Sequence, residues 1–358
     1  MRILLAGMLA GTPGHGGATW AILQWARGLE RLGHDVLVVE PVERIEPASA
    51  AYFDALGLER GALLERGTRV THGASYEQLA GFDAELLLNM SGLLRDPELT
   101  APIRTRVFVD LDPVFVQLWH AQGVDMGFDD HTRHVTVGLL LERTGLPLDR
   151  RWIATLPPVA LDDWPPGGTI EHDAFTTVGN WRSYGSVEHG GVRYGQKAHS
   201  VRRLLELPRL SPAPLLPALA IDPGEHEDLR ALRAHGWPLA DPAALAGTPD
   251  AYRRFVSGSR GELGLAKAGY ADARSGWFSD RSACYLAAGR PVVAQDTGFG
   301  CALPVGEGLL AFGDAEEAAR AIGAVCADYE RHSATARAIA EQHLASDIVL
   351  GRLLERVL

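Results

Sequence analysis

The sequence predicts an α/β protein built as two domains that face each other across a cleft. Three observations carry that expectation. The chain is 358 residues long, beyond the usual size of one hydrophobic core. Short apolar runs alternate with stretches of helical spacing, and the same plan appears in both halves. Hydrophobic residues make up 46% and charged residues 22%, an ordinary globular composition.

The elements follow in order. RILLAG (2–7) is a short apolar run of the kind found in a buried parallel strand. The loop TPGHGG precedes ATWAILQWARGLERLGH, whose apolar residues recur at helical spacing. Gly33 closes that helix, and DVLVVEP supplies the next strand, completing a βαβ unit. AELLLNM (84–90) and TRVFVDLD (105–112) read as further strands. Pro157, Pro158, Pro165 and Pro166, with Gly167 and Gly168, mark a domain crossing. FTTVGNW (175–181), LLPALAIDP (215–223), YRRFVSGS (252–259) and RPVVAQD (290–296) then form a second strand series. The tail from about Thr335 is helical in pattern and is expected to cross back onto the first domain. The expected boundaries are 1–165 with 336–358, and 166–335.

Composition narrows the function classes. A net charge of -11 and a pI near 5.6 argue against a basic nucleic-acid face, so no nucleic-acid partner is expected. The three cysteines, Cys284, Cys301 and Cys326, lack metal-ligand or disulfide spacing. MRILLAGMLAG leads into a Gly-rich loop rather than a cleavage site, and no apolar stretch is long enough to span a membrane. A soluble cytoplasmic protein is expected.

Ser275 to Gly308 is the most informative stretch, reading as a turn, a helix, an apolar strand and a Gly-punctuated loop. Ser279, Asp280 and Arg281 stand at the helix start, and Asp296, Thr297 and Gly298 follow the strand. Open α/β sheets hold ligands beyond strand carboxyl ends and at helix N-termini, so this is a phosphate site in expectation. Gly16 and Gly17 open the first helix and allow close ligand approach, or else only meet the backbone demands of a βα turn. His15 lies between glycines and is a candidate to touch substrate. Asp110 and Asp112 end a strand, where they could ligate a cation, supply a base, or form a solvated turn before Pro113. No metal motif is recognised among them and the nearby histidines. Arg182 and Lys197, on a polar Trp/Tyr/Gly-rich loop, could neutralise a diphosphate or ride on a surface loop. Ser259 and Glu262 follow an expected strand, where a carboxylate could accept ribose or sugar hydroxyls.

GGATWAILQWARGLERLGHDVLVV, together with YLAAGRPVVAQDTG and GEGLLAFGDAEEAARAI, resembles the GT-B glycosyltransferases of the group 1 class. The resemblance implies two Rossmann-like domains and a nucleotide diphosphate sugar, UDP- or dTDP-linked, as co-substrate. It implies no cofactor and no bound metal, and an acceptor hydroxyl or amine on a small molecule or glycan. It places Gly16 and Gly17 near the donor phosphates or acceptor, and Arg182 and Lys197 at the diphosphate. Glu262 matches the first Glu of the class motif. Arg281 looks like the helix-start arginine of the spore-coat-related branch. Cys284 stands where the second Glu is expected, which leaves ribose recognition open. His15, Asp110 and Asp112 would stand on the acceptor path, an Asp serving as base. Alternatives are a nucleotide-sugar epimerase or hydrolase, or an inactive binding module. On this reading Arg281→Ala abolishes transfer and weakens nucleotide binding without unfolding the protein.

Overall fold

The protein is described by a computed structural model covering residues 1–358. The first sheet contains β1 (Arg2–Ala6), β2 (Asp35–Val42), β3 (Gly61–Glu65), β4 (Thr71–Gly73), β5 (Leu86–Met90), β6 (Thr105–Asp110), β7 (Arg133–Thr136) and β8 (Ile153–Ala154). Their order is β4-β3-β2-β1-β5-β6-β7-β8, parallel except for β3–β4. The remaining strands are β9 (His172–Asn180), the hairpin pair β10 (Val187–His189) and β11 (Val192–Tyr194), β12 (Leu215–Ala220), β13 (Ser259–Gly264), β14 (Val292–Gln295) and β15 (Leu309–Phe312). The second sheet is wholly parallel, in the order β12-β9-β13-β14-β15.

Each order has one reversal. In the first sheet the chain builds outward from β1 to β3 and then returns to place β5 on the other side of β1. In the second, β12 and β13 flank β9 on opposite sides. Loops leaving β1 and β9 therefore part from their neighbours at the carboxyl edge and leave a crevice. The two crevices face each other, which is how this sequence makes a cleft.

The join between the halves is well packed. Helix Gly16–Arg31 buries Trp20, Leu23 and Ala26, and Trp20 donates its indole N–H to the carbonyl of Pro249 at 2.8 Å. Trp164 packs edge-on against Trp20 and Tyr252. Helix Ser346–Val357 lies along helix Gly16–Arg31 at Gly28, where a β-carbon would come 2.6 Å from both Ser346 and Leu350. The chain tail is thus carried back onto the first domain.

A second join sits at the other side of the cleft. Asp112, just past β6, receives Lys267 Nζ at 2.8 Å and the hydroxyls of Tyr184 and Tyr270. The ammonium also lies over the rings of Phe115, Tyr184 and Tyr270, an arrangement that stabilises a partly desolvated cation.

One expected element changes type. YRRFVSGS lies mostly in a helix, Pro249–Ser257, and the strand begins only at Ser259. Thr248 caps the first turn by accepting the N–H of Ala251, and Pro249 occupies the first helical position. Tyr252, Phe255 and Val256 share its buried face at helical spacing. Residues 179–203, expected as an open polar loop, contain the β10–β11 hairpin, turned by Gly190 and Gly191 at φ 56° and 77°.

Candidate functional site

Glu40 shapes the first wall. It lies on β2 beside β1 and is buried, and its Oε2 accepts the backbone N–H groups of Leu9, Ala10 and Gly11 at 2.9, 2.6 and 2.9 Å. These bonds tether the loop leaving β1 and present Thr12 to His15 to the cleft. His15 precedes the long helix and is exposed.

The facing wall comes from the carboxyl end of β9 and the start of helix Asp280–Ala287. Ser279 caps that helix, its Oγ accepting the N–H of Arg281 at 3.2 Å. The Arg281 side chain runs inward to Glu262, Nε to Oε1 at 2.5 Å, and gives Nη1 to the carbonyl of Val178 at 3.0 Å. Its Nη2 has no protein partner. Lys197 begins a short helix and is buried, and its ammonium makes no hydrogen bond to the protein. Burial, and then the Arg281 charge, push the Lys197 pKa well down. Both cations converge beneath Gly179. A β-carbon there would stand 2.7 Å from Lys197 Nζ and 3.7 Å from Arg281 Nη1.

Two cavities open between these walls. One, of about 370 Å³, is lined by Gly14, Gly17, Gly179, Tyr252, Asp280 and Arg281 among others. Burial raises the Asp280 carboxyl pKa. The other, of about 680 Å³, is lined by Met8, Thr12, Glu40, Trp181, Arg182 and Asp222 among others. His15, Ala18, Asn180 and Ala220 border both, so the cavities adjoin.

Of the residues singled out from sequence, His15, Gly17, Arg182, Asp280 and Arg281 line this space, with Lys197 directly behind Gly179. Arg182 is not a free charge, because its Nε meets Glu225 Oε1 at 2.5 Å and its Nη2 lies 3.7 Å from Asp228. Gly16 is explained by packing: a β-carbon would strike the Thr248 carbonyl oxygen at 2.2 Å. Ser279 is in place as a cap, with its hydroxyl engaged by the helix amide.

Other expected site residues lie elsewhere. Asp110 is fully buried, and its carboxylate accepts Gln117 Nε2, Thr136 Oγ1 and the Asp112 N–H at 2.8–2.9 Å. It braces β6 and borders neither cavity. Asp112 is taken up by Lys267 and the two tyrosines, which leaves it a domain contact rather than a free base. Ser259 sits at the amino end of β13, away from the cleft, and donates to the Phe255 carbonyl at 2.6 Å. Glu262 has no exposed surface, so it positions Arg281 instead of receiving a sugar hydroxyl. Asp296, Thr297 and Gly298 border neither cavity. Asp296 accepts the Gly298 N–H, Thr297 donates to the Trp277 carbonyl, and a β-carbon on Gly298 would approach Leu140 at 2.8 Å. That loop packs against the first domain.

Sequence reasoning missed Glu40, Asn180, Trp181 and Tyr252 as cleft residues. A carboxylate ending the apolar run DVLVVE was the available signal for Glu40. For Tyr252 it was the Thr-Pro helix start, which fixes the helical face. Cys284, where a second carboxylate is expected, is buried and accepts Gln24 Nε2 at 3.4 Å, while burial raises its thiol pKa well above the ordinary range.

No protein-family model matches this sequence, and no curated protein matches it. Solved structures do match in fold over the whole chain. An α-glucosyltransferase in complex with UDP-glucose and DNA containing an abasic site has a TM-score of 0.64 at 15% identity, covering 100% of this chain and 99% of that one. The Anabaena protein HepE, in complex with UDP and glucose, has a TM-score of 0.59 at 12% identity, with the same coverage. The sucrose-phosphate synthase of Thermosynechococcus elongatus has a TM-score of 0.58 at 12% identity, again covering 100% and 99%. The fold is therefore GT-B, and these neighbours are glycosyltransferases. The expectation of no nucleic-acid partner is corrected here. The α-glucosyltransferase was solved repeatedly with DNA, so a GT-B chain cannot be separated from nucleic acid by overall charge.

Proposed function

We infer that this chain is a glycosyltransferase, moving a sugar from a nucleoside diphosphate sugar to an acceptor that enters between the domains. The observation that carries the reading is the pair of buried basic side chains, Lys197 and Arg281, gathered beneath a glycine at the carboxyl end of β9, with Arg281 Nη2 unpartnered. Unmet buried donors are costly to maintain, and a diphosphate would meet them. Gly14 leaves the backbone bare on one side of the smaller cavity and Gly179 on the other, the condition for close phosphate approach; Gly17 instead makes room for the Tyr252 ring. Charge developing on the departing diphosphate would be stabilised by these fixed cations in a space with little water. UDP, the nucleotide bound by the solved neighbours, is the first to test.

The adjoining larger cavity favours transfer over an epimerase or a hydrolase, since it gives an acceptor somewhere to stand. The unmet cations likewise speak against an inactive module, which has no use for them. Calorimetric titration with UDP tests the donor site. Lys197→Met should weaken binding by ten-fold or more, on the order of a lost charged hydrogen bond. Affinity of the wild type should fall as pH rises above the lowered Lys197 pKa, because only the protonated amine attracts the anion. That slope should disappear in Lys197→Met. Equal UDP, dTDP and GDP binding by the two proteins would refute the assignment.

A further inference from the structure

The larger cavity carries more carboxylates than the smaller one, with Glu40, Asp222 and Glu225 on its wall against Asp280 alone. Arg182 is the only arginine or lysine on its wall, and Glu225 already holds that guanidinium. Glu40 and Asp222 remain without a cationic partner. Asp222 is exposed and accepts the N–H of Gly224 at 2.7 Å. Glu40 is different in kind: only 4% exposed, it is held rigidly through Oε2 by three amides. Its Oε1 accepts no hydrogen bond from the protein. The space beside Oε1 is kept open by Gly11, where a β-carbon would stand 2.6 Å from it. A carboxylate oxygen without a protein donor, carried by a side chain only 4% exposed on the wall of a cavity, is placed to accept a hydrogen bond from a ligand.

We propose that the larger cavity receives the acceptor and that this acceptor is a hydroxylated small molecule bearing a protonated amine, recognised by Glu40 Oε1 with Asp222 at the mouth. This builds on the transferase reading and adds the acceptor class to it. Carboxylates concentrate on one side of the cleft and draw the amine, while the basic side chains gather under Gly179 on the other. A charged acceptor then cannot settle in the donor's place. Glu40 is assigned to binding and orientation, and the transfer chemistry is left to groups nearer the sugar.

The test uses the full chain saturated with UDP and three matched hexoses, glucosamine, glucose and glucuronate, followed by saturation-transfer NMR at about pH 6.5, where an amine is protonated. Glucosamine should bind about ten-fold more tightly than glucose, with glucuronate weaker still, the margin of a charge-assisted hydrogen bond. Glu40→Gln keeps a carbonyl oxygen for the three amides but places a donor at the Oε1 position, so the preference should collapse. Asp222→Asn, at an exposed site, keeps an oxygen for the Gly224 amide and should reduce it in part. The proposal is overturned if glucosamine does not bind, if glucose or glucuronate binds equally, if a short DNA duplex binds in its place, or if the preference survives both substitutions. UDP binding by the wild type is measured first. Its absence would remove the transferase reading, whereas its presence without an amine preference would remove only the acceptor class.

Discussion

Arg281 and Glu262 should be inseparable in stability and separable in function. Glu262 has no exposed surface, the Arg281 side chain is 10% exposed, and their contact is 2.5 Å. Removing one member of such a pair strands a desolvated charge, at a cost of roughly 3–5 kcal/mol. With about 2–4 °C of melting temperature per kcal/mol in a domain of ~150–250 residues, Arg281→Ala or Glu262→Ala should melt about 6–20 °C lower. The expectation from sequence, that Arg281→Ala spares the fold, is thereby revised. Replacing both together, Arg281→Met with Glu262→Leu, leaves no stranded charge and should restore most of the stability. It should not restore UDP binding, because the guanidinium that faces the cavity is gone. Scanning calorimetry supplies the melting temperatures and isothermal titration the affinities. Single variants that melt within about 2 °C of wild type, or a double variant that binds UDP normally, would refute the argument.

Two further outcomes follow from the residues withdrawn from the cleft. Burial raises the Asp110 pKa to about 6, against the opposing hydrogen bonds from Gln117 and Thr136. The folded state then holds its proton more tightly than the unfolded chain, so this contribution favours folding at low pH and is lost as pH rises from about 4 to about 6, roughly 3 kcal/mol in all. Comparing urea unfolding of wild type and Asp110→Asn across that window should show this component missing in the variant; parallel pH profiles would contradict it. At the second domain join, Lys267→Met should cost about 1–3 kcal/mol by leaving Asp112 with only its tyrosine partners. It should also speed proteolysis between β8 and β9, and unchanged cleavage there would show that the contact does not hold the domains together.

Much of the fold was legible because it rests on local pattern. Apolar runs of strand length, helices of 3.6 spacing and the Pro/Gly crossing each leave a signature within a few residues. One exception, residues 252–259, was a short amphipathic stretch in which Thr248-Pro249 outweighed β-like composition; another was the β10–β11 hairpin within an expected loop. The site was legible in part. His15, Lys197 and Arg281 were marked by their place after a strand or at a helix start, and the structure brings them to one cleft. Asp110, Glu262 and Ser259 carried the same mark and proved to be internal.

The sequence by itself determined the alternation of strand and helix, the two α/β domains and the strand ends where ligands could bind. Only the tertiary structure decided which polar side chains reach the cleft. In parallel sheets covered by helices on both faces, alternation does not tell a buried side chain from an accessible one. Ser275 to Gly308 shows the division. Arg281 lines the smaller cavity with its guanidinium held by Glu262, from strand β13. Gly298 faces the other domain because Leu140 packs there. Both partners are distant in sequence, and only chain folding brings them within contact distance.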